Sequence, residues 1–190
     1  VLIKAVLQKT GSEYLTDVWP NMEVFFHGGI SFEPYRDQYK ALIPSDRMHY
    51  METYNASEGF FGLQDNPEEH SLLLMIDYSV FYEFIPINEV GEEHPTVLPL
   101  EAVEVGKNYA MVITTSGGLW RYQIGDTVRF TSLYPHKFVI SGRTKNFINA
   151  FGEELMVDNA DKAISRVCRQ TGAKVKEYTA APLFMLDKAK

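Results

Sequence analysis

The sequence predicts a mixed α/β (α+β) protein, on three observations: an apolar run, a helix and a second apolar run between residues 22 and 54; repeated β-branched and aromatic runs between residues 71 and 140; and a capped amphipathic helix near the carboxyl end. Met22 to His27 is a short apolar run closed by Gly28-Gly29, the pattern of a buried strand ending in a tight turn. Pro34 opens a helix through about Leu42, because proline is tolerated in a first turn where its missing N–H costs nothing. His49 to Tyr54 is the next strand. Strand, helix, strand is a fragment of an α/β layer. It sets Gly28-Gly29 and Tyr54 to Glu58 at the carboxyl ends of strands, where open α/β sheets bind ligands.

From Ser71 to Ile140 the runs Leu72–Ile76, Val80–Ile85, Ala110–Thr114, Trp120–Ile124 and Thr127–Phe130 are antiparallel strands of a curved sheet or small barrel, separated by the turn-rich pieces 88–95 and 116–118. A helix follows from about Asn159 to Gln170, with Asp158 as N-cap and Gly172 just past its end. Ala160, Ala163, Ile164 and Val167 fall on one face of it, the face expected to pack. Residues 174–185 are a further strand. These elements divide the chain into part of an α/β nucleotide-binding region over 1–62, a β-rich subdomain over 63–140, and a hinge with the start of a small α+β domain over 141–190.

Composition narrows the function. With 190 residues, 45% hydrophobic, the chain can bury a sizeable core, and no window nears the roughly 18 apolar residues of a membrane span. Cys168 is the single cysteine, so no internal disulfide forms; with no secretion signal at Val1-Leu2-Ile3-Lys4, the expectation is a cytoplasmic protein. A net charge of −7 argues against nucleic acid as the main partner. Between Arg47 and Lys107 there is no Lys or Arg, while Glu52, Glu58, Asp65, Glu68, Glu69, Asp77, Glu83, Glu89, Glu92 and Glu93 all fall inside. Such a stretch repels a triphosphate unless a divalent cation intervenes, so ATP here implies Mg2+.

Gly28-Gly29 permits a flat ring to approach the backbone closely, although a Gly-Gly pair taken alone is more often a plain strand-ending turn. Tyr54, Asn55, Ser57 and Glu58 gather an aromatic ring, an amide, a hydroxyl and a carboxylate within five residues. Two readings stand side by side. The ring can stack on adenine, the hydroxyl bond a phosphate and the carboxylate hold the metal; or the segment is a polar helix start, capped by Ser57 or Asn55. In Tyr122-Gln123-Ile124-Gly125-Asp126 the aspartate suits a ribose diol or a β-turn, and an extended segment puts Tyr122 and Asp126 on one face, Arg121 and Gln123 on the other. Arg143 and Lys145, between two apolar elements, suit a phosphate or ribose contact or a solvated linker. His27, His49, His70, His94 and His136 lack metal-ligand spacing, and there is no phosphate-binding Gly-x-x-x-x-Gly-Lys loop.

The order of these motifs is more specific than any one of them. A Gly-Gly strand end, a helix, Tyr-x-x-Ser-Glu, a β-rich stretch with Tyr-x-x-Gly-Asp, and Gly-Arg-Thr before Gly-Glu-x-Leu resembles the adenylate-forming superfamily. The wording of residues 54–62, 122–130 and 142–155 most resembles the auxin-responsive acyl-acid amido synthetases, and specifically their bacterial relatives. The resemblance implies an ATP- and Mg2+-dependent ligase whose partners are a small carboxylic acid and an amino acid, with neither nucleic acid nor membrane. It implies that Gly28 and Gly29 border adenine, Tyr54 flanks it, and Asn55, Ser57 and Tyr122 belong to the nucleotide site. Glu58 faces the phosphates and the metal, Asp126 holds the ribose, and Arg143 and Lys145 lie at a hinge. Glu58 and Lys145 are the catalytic candidates. Gln123 stands where many members carry Arg, with Arg121 the nearest cation. The phosphate loop expected upstream of Val1 is absent, so the chain reads as a middle-to-C-terminal fragment. A CoA ligase and a truncated, non-catalytic binding module are the alternatives.

Overall fold

The computed structural model describes residues 2–29, 32, 35–145, 148–150, 153–155, 157–173, 175 and 178–179. The chain forms two compact units, Val1–Leu72 and Leu73–Lys190.

In the first unit, helix α1 (Leu2–Thr10) and the short α2 (Leu15–Val18) precede β1 (Val24–His27), α3 (Arg36–Leu42), β2 (His49–Ala56) and β3 (Gly59–Leu63). β1 and β2 pair in parallel, Val24 opposite His49 through His27 opposite Glu52, so the expected strand, helix, strand layer is present. Its core is Leu15, Phe32, Ile43, Met48 and Tyr50, joined by Ile3, Leu7, Phe25, Tyr35 and Tyr39. α3 begins at Arg36; Pro34, the expected opening residue, lies outside the described residues. β2 and β3 form an antiparallel hairpin in which Ala56 faces Gly59, leaving Ser57-Glu58 as a two-residue turn. No helix starts there, which corrects the capped-helix reading: the pairing of Phe60 with Asn55 commits the chain to a ladder before a helical turn can close.

β4 (Leu72–Leu74) lies where the two units meet in sequence. The second unit adds β5 (Val80–Pro86), β6 (Leu98–Pro99), β7 (Asn108–Thr115), β8 (Tyr122–Leu133) and β9 (His136–Arg143), antiparallel neighbours in the order β9-β8-β7-β5-β6. Phe84, Tyr109, Phe130 and Phe138 are fully buried. Phe84 meets Phe130 edge-on at 5.1 Å and Tyr109 at 6.2 Å. Ile85, Ala110 and Val112 pack with Val90 and Val97 as a separate cluster. Residues 109–113 are buried without a break because both faces of β7 are covered. The expected strands at Trp120–Ile124 and Thr127–Phe130 are one continuous strand, β8.

β10 (Ile148–Ala150) and β11 (Glu153–Leu155) pair antiparallel, and α4 (Val157–Thr171) lies against β9. α4 starts one residue before Asp158 and ends at Gly172, whose φ of +72° suits a helix stop. Its covered face matches the expected one only in part: Ala160 and Ile164 are half-buried, while Ala163 and Val167 are exposed and Ser165 is buried. The strand expected over 174–185 falls largely outside the described residues. Among the described residues no helix is long and apolar enough to cross a membrane.

Candidate functional site

In the first unit the site is built on the carboxyl end of β1. Gly28 follows the last residue of that strand, and a Cβ there would stand 2.4 Å from the Thr53 carbonyl oxygen and 3.1 Å from Thr53 Oγ1. Only glycine admits this approach. The Thr53 hydroxyl, with one hydrogen, is shared between the His27 carbonyl at 3.3 Å and Asn55 Oδ1 at 3.4 Å. Thr53, which the sequence reading passed over, therefore couples the Gly28 edge to the Tyr54–Glu58 segment. Gly29 has φ +83° with open space where a Cβ would be.

Along the hairpin, Asn55 and Ser57 are exposed and Glu58 is half-buried. A register shift between Tyr54 and Asn55 lets Phe61 pack on Tyr54 at 5.2 Å between ring centroids. Tyr54 is 5% exposed, so its ring offers little surface to a ligand. Buried Gln64 holds the hairpin: its Oε1 accepts from the Glu52 N–H at 2.8 Å, and its Nε2 donates to the Asn66 and Glu69 carbonyls.

A cavity of about 320 Å³ opens beside Gly28, lined by Phe25, His27, Phe32, Tyr35 and Tyr39 as well. His27 stacks on Phe32 at 4.2 Å between centroids with the planes 18° apart, and both of its ring nitrogens are buried without a hydrogen-bond partner among the described residues. Burial, with the Arg36 cation adding to it, lowers the His27 pKa from its ordinary 6.5 to about 4. Sequence reasoning dismissed His27 for want of metal-ligand spacing. The available signal was its place in the alternation with Phe25, which puts both rings on one face of β1.

The lowered pKa has a stability consequence. Above pH 6.5 folded and unfolded chains both hold His27 neutral; between 6.5 and 4 only the unfolded chain takes up the proton, so this residue's contribution falls as the pH drops. Glu52, opposite His27 across the parallel pair, is raised by burial, with Arg36 opposing, and its contribution runs the other way. The Tyr50 hydroxyl, also raised by burial, stays neutral throughout this range. Urea titrations of wild type and His27→Phe at pH 7 and pH 4.5 are therefore expected to show a larger loss on acidification in the wild type. Equal losses would contradict the assignment.

The second unit carries the other cluster. β8 pairs with β7 through Val112–Gln123 and Ala110–Thr127, so four steps of β8 answer two of β7, and Ile124-Gly125-Asp126 bulges. Gly125 takes φ +89° within it. The bulge breaks the alternation, so the expected sharing of a face by Tyr122 and Asp126 does not follow. Asp126, side chain 18% exposed, faces Arg143 across β8 and β9, and Arg143 Nε donates to Asp126 Oδ1 at 3.0 Å. The Thr144 N–H closes the corner on the Gly125 carbonyl at 2.8 Å. Two residues singled out separately are thus one ion pair, worth at most about 1 kcal/mol to folding with the arginine this exposed. Lys145 is exposed in the turn beyond, and Tyr122 is 40% exposed. Arg121 lies ahead of β8 at φ +45° and pairs with Glu83 at 3.0 Å, so the alternation expected for an extended Arg121–Gln123 segment does not apply.

Residues 1–48 match the model of the GH3 family N-terminal domain and residues 73–143 that of the GH3 family central domain. The chain belongs to the GH3 family. It is 32% identical over 199 aligned residues to the indole-3-acetic acid-amido synthetase GH3.4 of Arabidopsis thaliana, covering 94% of this chain and 32% of that protein. A GH3 domain-containing protein of Homo sapiens is 32% identical over 139 residues, covering 70% of this chain and 26% of that one. The solved structure of AtGH3.15 acyl acid amido synthetase in complex with 2,4-DB shares the fold, with a TM-score of 0.63 at 20% identity over 89% of this chain and 35% of that one. The chain spans about a third of the length of the first GH3 relatives it matches.

Proposed function

We propose that the protein containing this chain is an ATP-dependent acyl-acid amido synthetase. A carboxylate oxygen attacks the α-phosphorus of ATP and pyrophosphate leaves; an amino-acid amine then attacks the acyl carbon, AMP leaves, and the amine proton passes to solvent. The observation that carries this reading is the position of Gly28, which lines the aromatic cavity and, through Thr53, is tied to the polar hairpin. An apolar acid and a phosphate group are served by adjacent parts of one strand end. Family membership supports it.

In this proposal Gly28 and Gly29 border adenine, and Tyr54 anchors the strand that carries Asn55 and Ser57. The Ser57 hydroxyl donates to a phosphate oxygen. Asp126 accepts from the ribose hydroxyls with Arg143 beside it, Tyr122 belongs to the same nucleotide site, and Lys145 brings a cation to the departing phosphates. Among the described residues no three His, Cys, Asp or Glu side chains could hold a metal ion together. Magnesium held by triphosphate oxygens needs only one or two protein carboxylates, and Glu58 fits that part; bound there, the ion would neutralise phosphate charge. The protein's remaining work is positioning and exclusion of water from a mixed anhydride.

The full-length protein, given ATP, Mg2+, a carboxylic acid and an amino acid, is expected to yield an amide and AMP by mass spectrometry. A thioester formed only with coenzyme A, and no amide, would favour a CoA ligase; neither product would reject the ligase reading. Asp126→Ala is expected to weaken ATP binding by about 1–3 kcal/mol, measured calorimetrically on the full-length protein. Unchanged affinity in a folded variant would remove Asp126 from the site.

A further inference from the structure

Thr53 has one hydroxyl hydrogen and two acceptors in reach of it. Its Oγ1 lies 3.3 Å from the His27 carbonyl oxygen and 3.4 Å from Asn55 Oδ1. A hydroxyl donates to one oxygen at a time, so as they stand one of these contacts sets oxygen against oxygen. The carbonyl belongs to β1 and is fixed by its backbone. The Asn55 amide is exposed and can turn about its last bond. Its position also matters. The backbone of Gly28 comes so close to Thr53 that a Cβ there would stand 3.1 Å from the same Oγ1, so Gly28, Thr53 and Asn55 form one edge at the carboxyl end of β1. Beside that edge, Gly29 leaves open space where a Cβ would be.

We propose that Asn55 selects the nucleotide base by accepting a hydrogen bond from the exocyclic amine of adenine, and that the Thr53 hydroxyl sets which end of the Asn55 amide faces the base. This rests on the amido synthetase reading, with adenine against Gly28 and Gly29, and adds the residues that determine base specificity. A half-turn of the amide exchanges Oδ1 for Nδ2. The Nδ2 N–H then donates to Thr53 Oγ1 while the hydroxyl donates to the His27 carbonyl, so each polar atom in the series has its partner. Oδ1 is left facing outward as an acceptor. Adenine presents a donor there, its 6-amino group, whereas hypoxanthine and guanine present a carbonyl oxygen, which meets Oδ1 with like charge. The opposite setting, with Nδ2 outward, would favour the 6-oxo bases. The direction of base preference therefore reports how the amide is held. Asn55 is the specificity residue, and Thr53, acting through it, is a positioning residue.

The test uses the full-length protein, Mg2+ and a carboxylic acid that it activates, chosen from a broad panel. Exchange of labelled pyrophosphate into ATP, into purine riboside triphosphate, which lacks the 6-amino group, and into inosine triphosphate gives kcat and KM for each. Wild type is expected to prefer ATP to each of the other two by about tenfold, one hydrogen bond's worth. The preference is expected in KM, because the base edge takes no part in the bond changes. In Asn55→Ala the ratios are expected to fall to within about twofold. Asn55→Asp should keep the preference, since an oxygen faces outward whichever way the carboxylate turns. Thr53→Val should lower the ratios and Thr53→Ser restore them; in the Asn55→Asp background Thr53→Val should leave them unchanged, an outcome that general damage to the strand would not give. A wild type that uses all three nucleotides alike or prefers the inosine nucleotide, or ratios unmoved in Asn55→Ala, would overturn the role of Asn55 and leave the amido synthetase reading standing. Ratios unmoved in Thr53→Val would overturn the role of Thr53. Exchange with no triphosphate and no acid would overturn the inference and that reading together. The wild-type ratios can reject the inference even where a variant fails to fold.

Discussion

Gly28→Ala is expected to destabilise the chain by about 3 kcal/mol, as inserting a methyl into close-packed surroundings does when backbone must move. The obstacle is the Thr53 carbonyl oxygen, 2.4 Å from where the Cβ would stand, and a backbone atom of a paired strand cannot swing aside as a side-chain tip can. Retreat of either strand would also pull at the Thr53 hydroxyl contacts to the His27 carbonyl and Asn55. Loss of stability in urea should therefore come with loss of acid activation in the full-length protein. Gly29→Ala is the comparison: its Cβ would meet nothing within 4 Å, and its cost is the left-handed backbone at φ +83°, about 1–2 kcal/mol. Equal effects at the two glycines would show that the close approach to Thr53 is not what demands Gly28.

Truncation of Phe84 should cost still more, about 3–5 kcal/mol for Phe84→Ala. The ring is fully buried, edge-on to Phe130 and near Tyr109, so its removal leaves a cavity walled by aromatic side chains that cannot collapse freely. Phe81 on the same strand is 61% exposed, and Phe81→Ala should change stability by only about 0.5 kcal/mol. Urea denaturation of both variants measures the contrast. A Phe84→Ala cost below about 1 kcal/mol would mean that the aromatic cluster is not the core of its unit.

What could be read from the sequence was mostly local. The strand before Gly28-Gly29, the helix after it, and the β-branched runs from Val80 to Phe130 follow from short-range periodicity and emerge as β1, α3, β5, β7 and β8. α1 went unremarked, although Ile3 and Leu7 are one helical turn apart and Gly11 supplies a stop at φ +68°. The errors fall where tertiary contacts override local pattern. Ser57-Glu58 carries every mark of a helix cap, yet β3 pairs back on β2 and makes it a hairpin turn. The face assignment around Asp126 assumed a regular strand, and the bulge at Gly125 removes that regularity. On α4 the expected face holds at Ala160 and Ile164, which are half-buried, while the burial of Ser165 and exposure of Val167 turn the rest of it aside.

The candidate site divides the same way. Gly28, Asp126 and Arg143 were identifiable as residue types at strand ends, but the reason for Gly28 lies on another strand and the Asp126–Arg143 pair spans two. Alternation along β1 puts His27 on the face of Phe25, but its stacking on Phe32 and the link that Thr53 makes depend on contacts from the following segment and on the parallel pairing of β1 with β2.

The central claim is that the protein containing this chain activates a carboxylic acid with ATP. Isotope exchange between pyrophosphate and ATP reads that step alone. With the full-length protein and Mg2+, exchange is predicted to appear when a carboxylic acid from a broad panel is added, to need no amino acid, and to stop when the metal is chelated. Exchange that is absent across a broad panel of acids, or that proceeds equally without any acid, would contradict the account.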